Sequence, residues 1–132
     1  MATNAFIGIV NLDGTVSSIY LHFDGYDEHA GAILRQHYAD RELAKELIAL
    51  GDLSILAPSL DCPVGHSFYT PQRGHCVAYH RDRGEPWFDV KTINCSFDEW
   101  VSDLRESRDY FYTFFRNKWH NKEEFEDALI SA

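Results

Sequence analysis

AFIGIV-NLDG-TVSSIYLHF, residues 5–23, sets two β-prone runs on either side of an Asp13-Gly14 turn. Asp-Gly between such runs is a strong hairpin signal, because hairpin turns need positive φ and glycine supplies it. In the second run Ile19, Leu21 and Phe23 share one face, while Ser18, Tyr20 and His22 share the other. One core face and one partly solvated face are the expectation.

The pattern changes downstream. Asp24-Gly25-Tyr26 breaks the strand, and Asp27 is placed to cap a helix to about Tyr38, with Ala30, Ile33, Leu34 and His37 at helical spacing. Asp40 caps a second helix over Arg41–Leu50, and Gly51 stops it. From Ala57 to Gly74, Pro58, Pro63, Pro71, Gly65 and Gly74 punctuate the chain into a long loop. His75–His80 reads as a strand, Arg81–Pro86 as a charged turn and Trp87–Ile93 as the returning strand. Ser96-Phe-Asp-Glu99 is a capping box, followed by Phe97, Trp100, Val101 and Leu104 along one helical stripe. Tyr110–Phe115 is aromatic on both faces, which suits either a central strand or a dimer interface. A turn at Arg116-Asn117-Lys118 leads to a short strand at Trp119 and His120, and Lys122–Ile130 closes the chain as a helix. Hairpins dominate, so the reading is a single α+β domain: a mainly antiparallel sheet with helices packed on one face.

Composition narrows function. The 132 residues suit one domain, and an aromatic fraction of 14% supplies a core. A formal net charge of -9 disfavours direct nucleic-acid binding. Three cysteines, Cys62, Cys76 and Cys95, are too few and too odd in number for a disulfide framework. The first residues lack a basic segment before their short apolar run, and no stretch approaches the roughly 20 apolar residues of a membrane span. These features read as a cytoplasmic chain without a membrane partner.

Motifs for catalysis are scarce. The sequence holds no phosphate-binding glycine loop, dinucleotide fingerprint, zincin helix or nucleophile elbow. Cys62, His66, His75, Cys76 and His80 share one stretch, but only Cys62 and His66 make a zinc-like pair, so neither a metal nor a cofactor is assigned. Arg73, Arg81 and Arg83 form a basic cluster diluted by Asp82 and Glu85. His22, Asp24, Tyr26 and His29 are the best polar constellation for a small ligand or acid–base work. The blander reading is a turn held by Asp24 with aromatics at its rim. The acidic residues are unevenly placed: Asp98, Glu99, Asp103 and Glu106 lie on one late helix, with Asp109 at its exit. Glu123, Glu124, Glu126 and Asp127 lie on the last. Should the two helices adjoin, these carboxylates form an extended negative face suited to a basic partner. Two wet helix faces are the plainer alternative.

Several motifs together resemble a group of small accessory proteins of tailed bacteriophages and prophages. They are Asp13-Gly-Thr-Val, Tyr20-x-His22-x-Asp24-Gly-Tyr26, His37-Tyr38, and Glu46-Leu-Ile-x-x-Gly51-Asp-Leu-Ser54. Tyr79-x-Arg81-Asp-Arg-Gly-Glu85 and the Tyr110-Phe-Tyr112 run ending near Trp119 are similar too. The likeness is good over the first half and patchy afterwards; Asp61–Cys76 and the acidic last helix lie outside it. It carries over no catalytic residue. It implies a protein made inside a bacterial host cell that binds and modulates a host protein, such as a defence nuclease or a transcription factor, which agrees with the scarcity of enzyme motifs.

Overall fold

A computed structural model describes residues 2–131. The opening hairpin forms as its sequence requires. Strands β1 (Ala5–Val10) and β2 (Val16–Leu21) pair antiparallel. Asn11 O accepts from Gly14 N at 2.9 Å, with Gly14 at φ 90°, and Asp13 Oδ1 accepts from Thr15 N and Oγ. The strand ends two residues before Phe23, because Asp24 turns the chain at φ 57°, and the Phe23 ring is left 43% exposed rather than in the core.

A π-helical turn (Asp27–Gly31) runs into α1 (Ala32–His37). Asp27 does not cap it; its carboxylate pairs instead with Arg35 at 3.0 Å. Helix α2 (Arg41–Ile48) is capped by Asp40, and β3 (Leu53–Ile55) then runs parallel to β2. The following stretch departs from expectation. Only Val77–Ala78 (β4) is strand. Tyr79–Arg83 (α3) and Trp87–Val90 (α4) are short helices, where a charged turn and a strand were expected, and β5 is confined to Ile93–Cys95. In α3 the Asp82 carboxylate accepts from Ala78 N at 2.7 Å and closes a helical turn over the end of β4. Helix α5 (Phe97–Glu106), strands β6 (Tyr110–Phe115) and β7 (Lys118–His120), and α6 (Lys122–Ile130) follow as read, capped by Ser96 and Asn121; the expected Ser96 capping box is only half made, because the Glu99 carboxylate bonds the Ser96 hydroxyl and not its N–H.

The class is α+β. The sheet runs β4-β3-β2-β1-β6-β7, with β5 on the edge of β2 that β3 also uses. Antiparallel pairs dominate, but β1–β6 and β2–β3 are parallel, so the sheet is mixed. Tyr110–Phe115 lies between β1 and β7 and is therefore a central strand.

The helices, expected on one face, divide between two. Ala5, Ile7, Ile9, Ile19, Leu21, Tyr112 and Phe114 face Leu34, Ala44 and Leu47 of α1 and α2. On the other side Phe6, Val10, Val16, Phe111 and Phe115 face Trp100, Leu104 and Phe125 of α5 and α6. Central strands apolar on both faces must be covered on both. Gly8 makes this close: a Cβ there would lie 2.8 Å from the Trp100 ring. The indole N–H is satisfied by Thr113 Oγ1 at 2.9 Å.

Candidate functional site

Helices α5 and α6 cover only part of their face of the sheet. Beside α5, over Ser18 and Tyr20 of β2, the face opens into a cleft of about 700 Å³. Its floor is aromatic. Phe6 packs 5.6 Å from Tyr20 and 5.1 Å from Phe111, centroid to centroid. One wall is α5 and its exit, with Glu99, Asp103, Glu106 and Asp109; the other is β5 with Ile93, Asn94 and Cys95, together with Asp52.

Each acidic group has a structural reason for its place. In α5 the stripe Trp100, Val101 and Leu104 is buried, which turns Glu99, Asp103 and Glu106 outward to the rim. Asp52 follows Gly51 at the corner between α2 and β3. Its backbone N–H donates to Val90 O at 2.8 Å, and its Oδ1 accepts from Tyr20 N at 2.9 Å. The carboxylate thus fills the gap between β3 and β5 on the β2 edge.

The pKa shifts show the sign of the local field. Burial raises the Asp52 carboxyl, partly offset by the Tyr20 N–H. Burial also raises the Tyr20 phenol, helped by Tyr79, Asp109 and Asp52, and raises the Cys95 thiol, helped by Glu99 and Asp103. Negative charge near an acid disfavours its ionisation. Among the described residues no Lys or Arg lines the cleft. Lys122 donates to Ser107 O and lies 5.4 Å from the Phe111 ring, two members of the lining, without lining the cleft itself.

The eight late-helix carboxylates do not act as one face. Glu99, Asp103 and Glu106 reach the cleft, whereas Asp98 lies beside Arg105 and Leu129 on the outer side of α5. On α6, Glu124 completes the Asn121 capping box and pairs with Arg35 at 3.1 Å, and Glu126 pairs with Arg105 at 2.8 Å. Glu123 and Asp127 border a shallow groove shared with Arg105 and Lys122. Sequence reading left Asp52, Phe6, Tyr20 and Phe111 out of the acidic site; only the sheet brings them to α5.

The other candidates separate. His22 Nδ1 bonds the Tyr20 hydroxyl at 2.9 Å, and Tyr26 packs on His29, but no hydrogen bond joins any two of His22, Asp24, Tyr26 and His29. The Cys/His stretch is organised by Asp82, whose side chain is fully buried. Arg81 pairs with it at 2.9 Å and reaches Leu60 O and Cys76 O. Cys62 Sγ lies 3.5 Å away, and His66 Nε2 lies 3.6 Å away. His66 accepts from Gln72 N through Nδ1, which leaves Nε2–H to donate to Cys76 O at 3.0 Å. Burial raises the Cys76 thiol, which bonds Ala57. This polar knot anchors the long loop. Arg81 is turned inward and Arg83 lies over the Phe68 ring at 4.5 Å, so the expected basic cluster is dispersed.

No family model, curated protein or solved structure matches this chain. No helix among the described residues is long and apolar enough to cross a membrane.

Proposed function

We propose that this chain is a non-catalytic accessory protein, of the kind tailed phages make, that docks a basic segment of a bacterial host protein into the acidic cleft. One observation carries the reading. Five carboxylates, Asp52, Glu99, Asp103, Glu106 and Asp109, surround an aromatic floor with no Lys or Arg among the lining residues. Like charges so gathered repel one another and work against folding. A basic partner relieves that repulsion, and the field steers its approach. The nucleic-acid channels of defence nucleases and transcription factors have this complementary chemistry, and filling one would inhibit it. The bacterial setting rests on the motif resemblance given above.

Immobilised protein exposed to bacterial lysate tests the proposal. Raising salt from about 0.1 M to about 1 M shortens the Debye length from roughly 10 Å to roughly 3 Å. The expected result is a defined partner held at low salt by wild type and by a Glu123→Lys/Asp127→Lys variant. It is lost at high salt and on Glu99→Lys/Asp103→Lys/Glu106→Lys. A partner retained by the cleft variant, or indifferent to salt, contradicts the proposal.

A further inference from the structure

We infer that the cleft is a receptor for one arginine side chain of the bound segment, with the guanidinium laid on the Phe6 and Tyr20 rings and held by Asp52 and Ser18. The inference rests on the reading of the cleft as the site of a basic partner, and it adds which cation enters and which atoms meet it.

Three observations beyond the charge point to a ligand with planar N–H donors. Ser18 is only 8% exposed and lines the cleft, yet its hydroxyl makes no hydrogen bond among the described residues. The oxygen itself is not sealed off, and it stays open to donors entering the cleft that the residue lines. Asp52 is fixed by Tyr20 N–H at one oxygen, and its other oxygen accepts no hydrogen bond among the described residues. Ser18 and Asp52 thus present free acceptors along the same strand edge. The third observation is the floor. Phe6 and Tyr20 are half-buried and line the cleft, and Phe111 beside them already carries a cation, Lys122 at 5.4 Å.

These features select arginine over lysine. A guanidinium is planar and weakly hydrated, stacks on aromatic faces, and spreads several N–H donors over separate acceptors. An ammonium is compact and strongly hydrated, and it gains less from a flat apolar floor. The volume of about 700 Å³ also admits flanking backbone, whose apolar parts would meet Ile93, 52% exposed at the rim. Glu99, Asp103, Glu106 and Asp109 then serve further cations of the same segment.

The test is NMR titration of the full chain with N-acetyl-arginine-N-methylamide and, in parallel, its lysine counterpart. The arginine compound is expected to shift the Phe6 and Tyr20 ring signals and the Ser18 and Asp52 amides, and to bind at least about fivefold more tightly than lysine. Ser18→Ala and Asp52→Asn, each checked for native spectra, are expected to weaken arginine binding while leaving lysine binding little changed. Equal shifts from both compounds would overturn the arginine assignment yet leave an acidic docking cleft. Shifts from neither compound, together with no binding of an octa-arginine peptide, would overturn both.

Discussion

The two faces of the sheet are built from the same alternating strands but finished differently. One is closed: α1, α2 and the segment after β3 bury Ile7, Leu21, Tyr112 and Phe114, and the Asp82 knot locks the loop that follows. The other is closed only beneath α5 and α6, where Trp100 meets Gly8, and it opens over Ser18 and Tyr20. Stability is concentrated where helices cover the strands, and an open acidic cleft is left where the cover ends. The same division separates the acidic helices. The α6 carboxylates Glu124 and Glu126 are paired, whereas among the described residues Glu99, Asp103 and Glu106 of α5 form no salt bridge.

Truncation should expose this contrast most strongly. Phe114→Ala on the closed face is expected to cost about 3–5 kcal/mol, as for buried aromatics generally. Tyr20→Ala on the open face should cost clearly less, since its ring is only half-buried. Urea unfolding measures both, and equal losses would break the contrast. Asp82→Ala should also cost about 3–5 kcal/mol, because it leaves Arg81 without its buried partner.

A pH series separates the two regions by sign. Folding raises the Asp52 carboxyl, so the folded chain binds more protons than the unfolded one between the ordinary Asp value and the raised one. Stability falls as pH rises through that window. Asp82 behaves oppositely. Burial opposes its charge, but Arg81 and Ala78 N–H outweigh that and lower it. Its contribution is present above the ordinary Asp value and lost as pH falls through the lowered one. Asp52→Asn should therefore remove the first slope and leave the second, as read from urea midpoints at stepped pH.

Smaller effects sharpen the comparison of helices. Asp103→Asn with Glu106→Gln should leave stability within about 0.5 kcal/mol of wild type, or slightly above it, since exposed like charges are relieved. Arg105→Gln, at an exposed pair with Glu126, should leave the melting temperature unchanged.

Much of this architecture was legible in the chain. The 5–23 hairpin, the Ser96 cap and the α5 stripe follow from local rules, and local hydrogen bonds enforce them. The division of helices between two faces was not read, although Phe6 and Val10 alternate with Ile7 and Ile9 and the 110–115 run is aromatic on both sides; one-face packing was expected instead. Residues 75–93 were not legible. In α3 the Asp82 carboxylate closes a helical turn on strand-like sequence and meets Cys62, while its partner Arg81 reaches back to Leu60, contacts far apart in the chain. The acidic helices were visible as composition, but not which carboxylates would be neutralised, because Arg35 comes from 89 positions before Glu124. Nor could sequence place Asp52 beside α5, since only the shared edge of β2 joins them.

The most direct test of the central claim is the affinity of an octa-arginine peptide for two neutralised variants, measured by calorimetry at low salt. Glu99→Gln/Asp103→Asn/Glu106→Gln should weaken binding at least about tenfold, while Glu123→Gln/Glu126→Gln/Asp127→Asn should stay within about twofold of wild type. Equal losses from the two triples would show that total charge, and not the cleft, draws the cation.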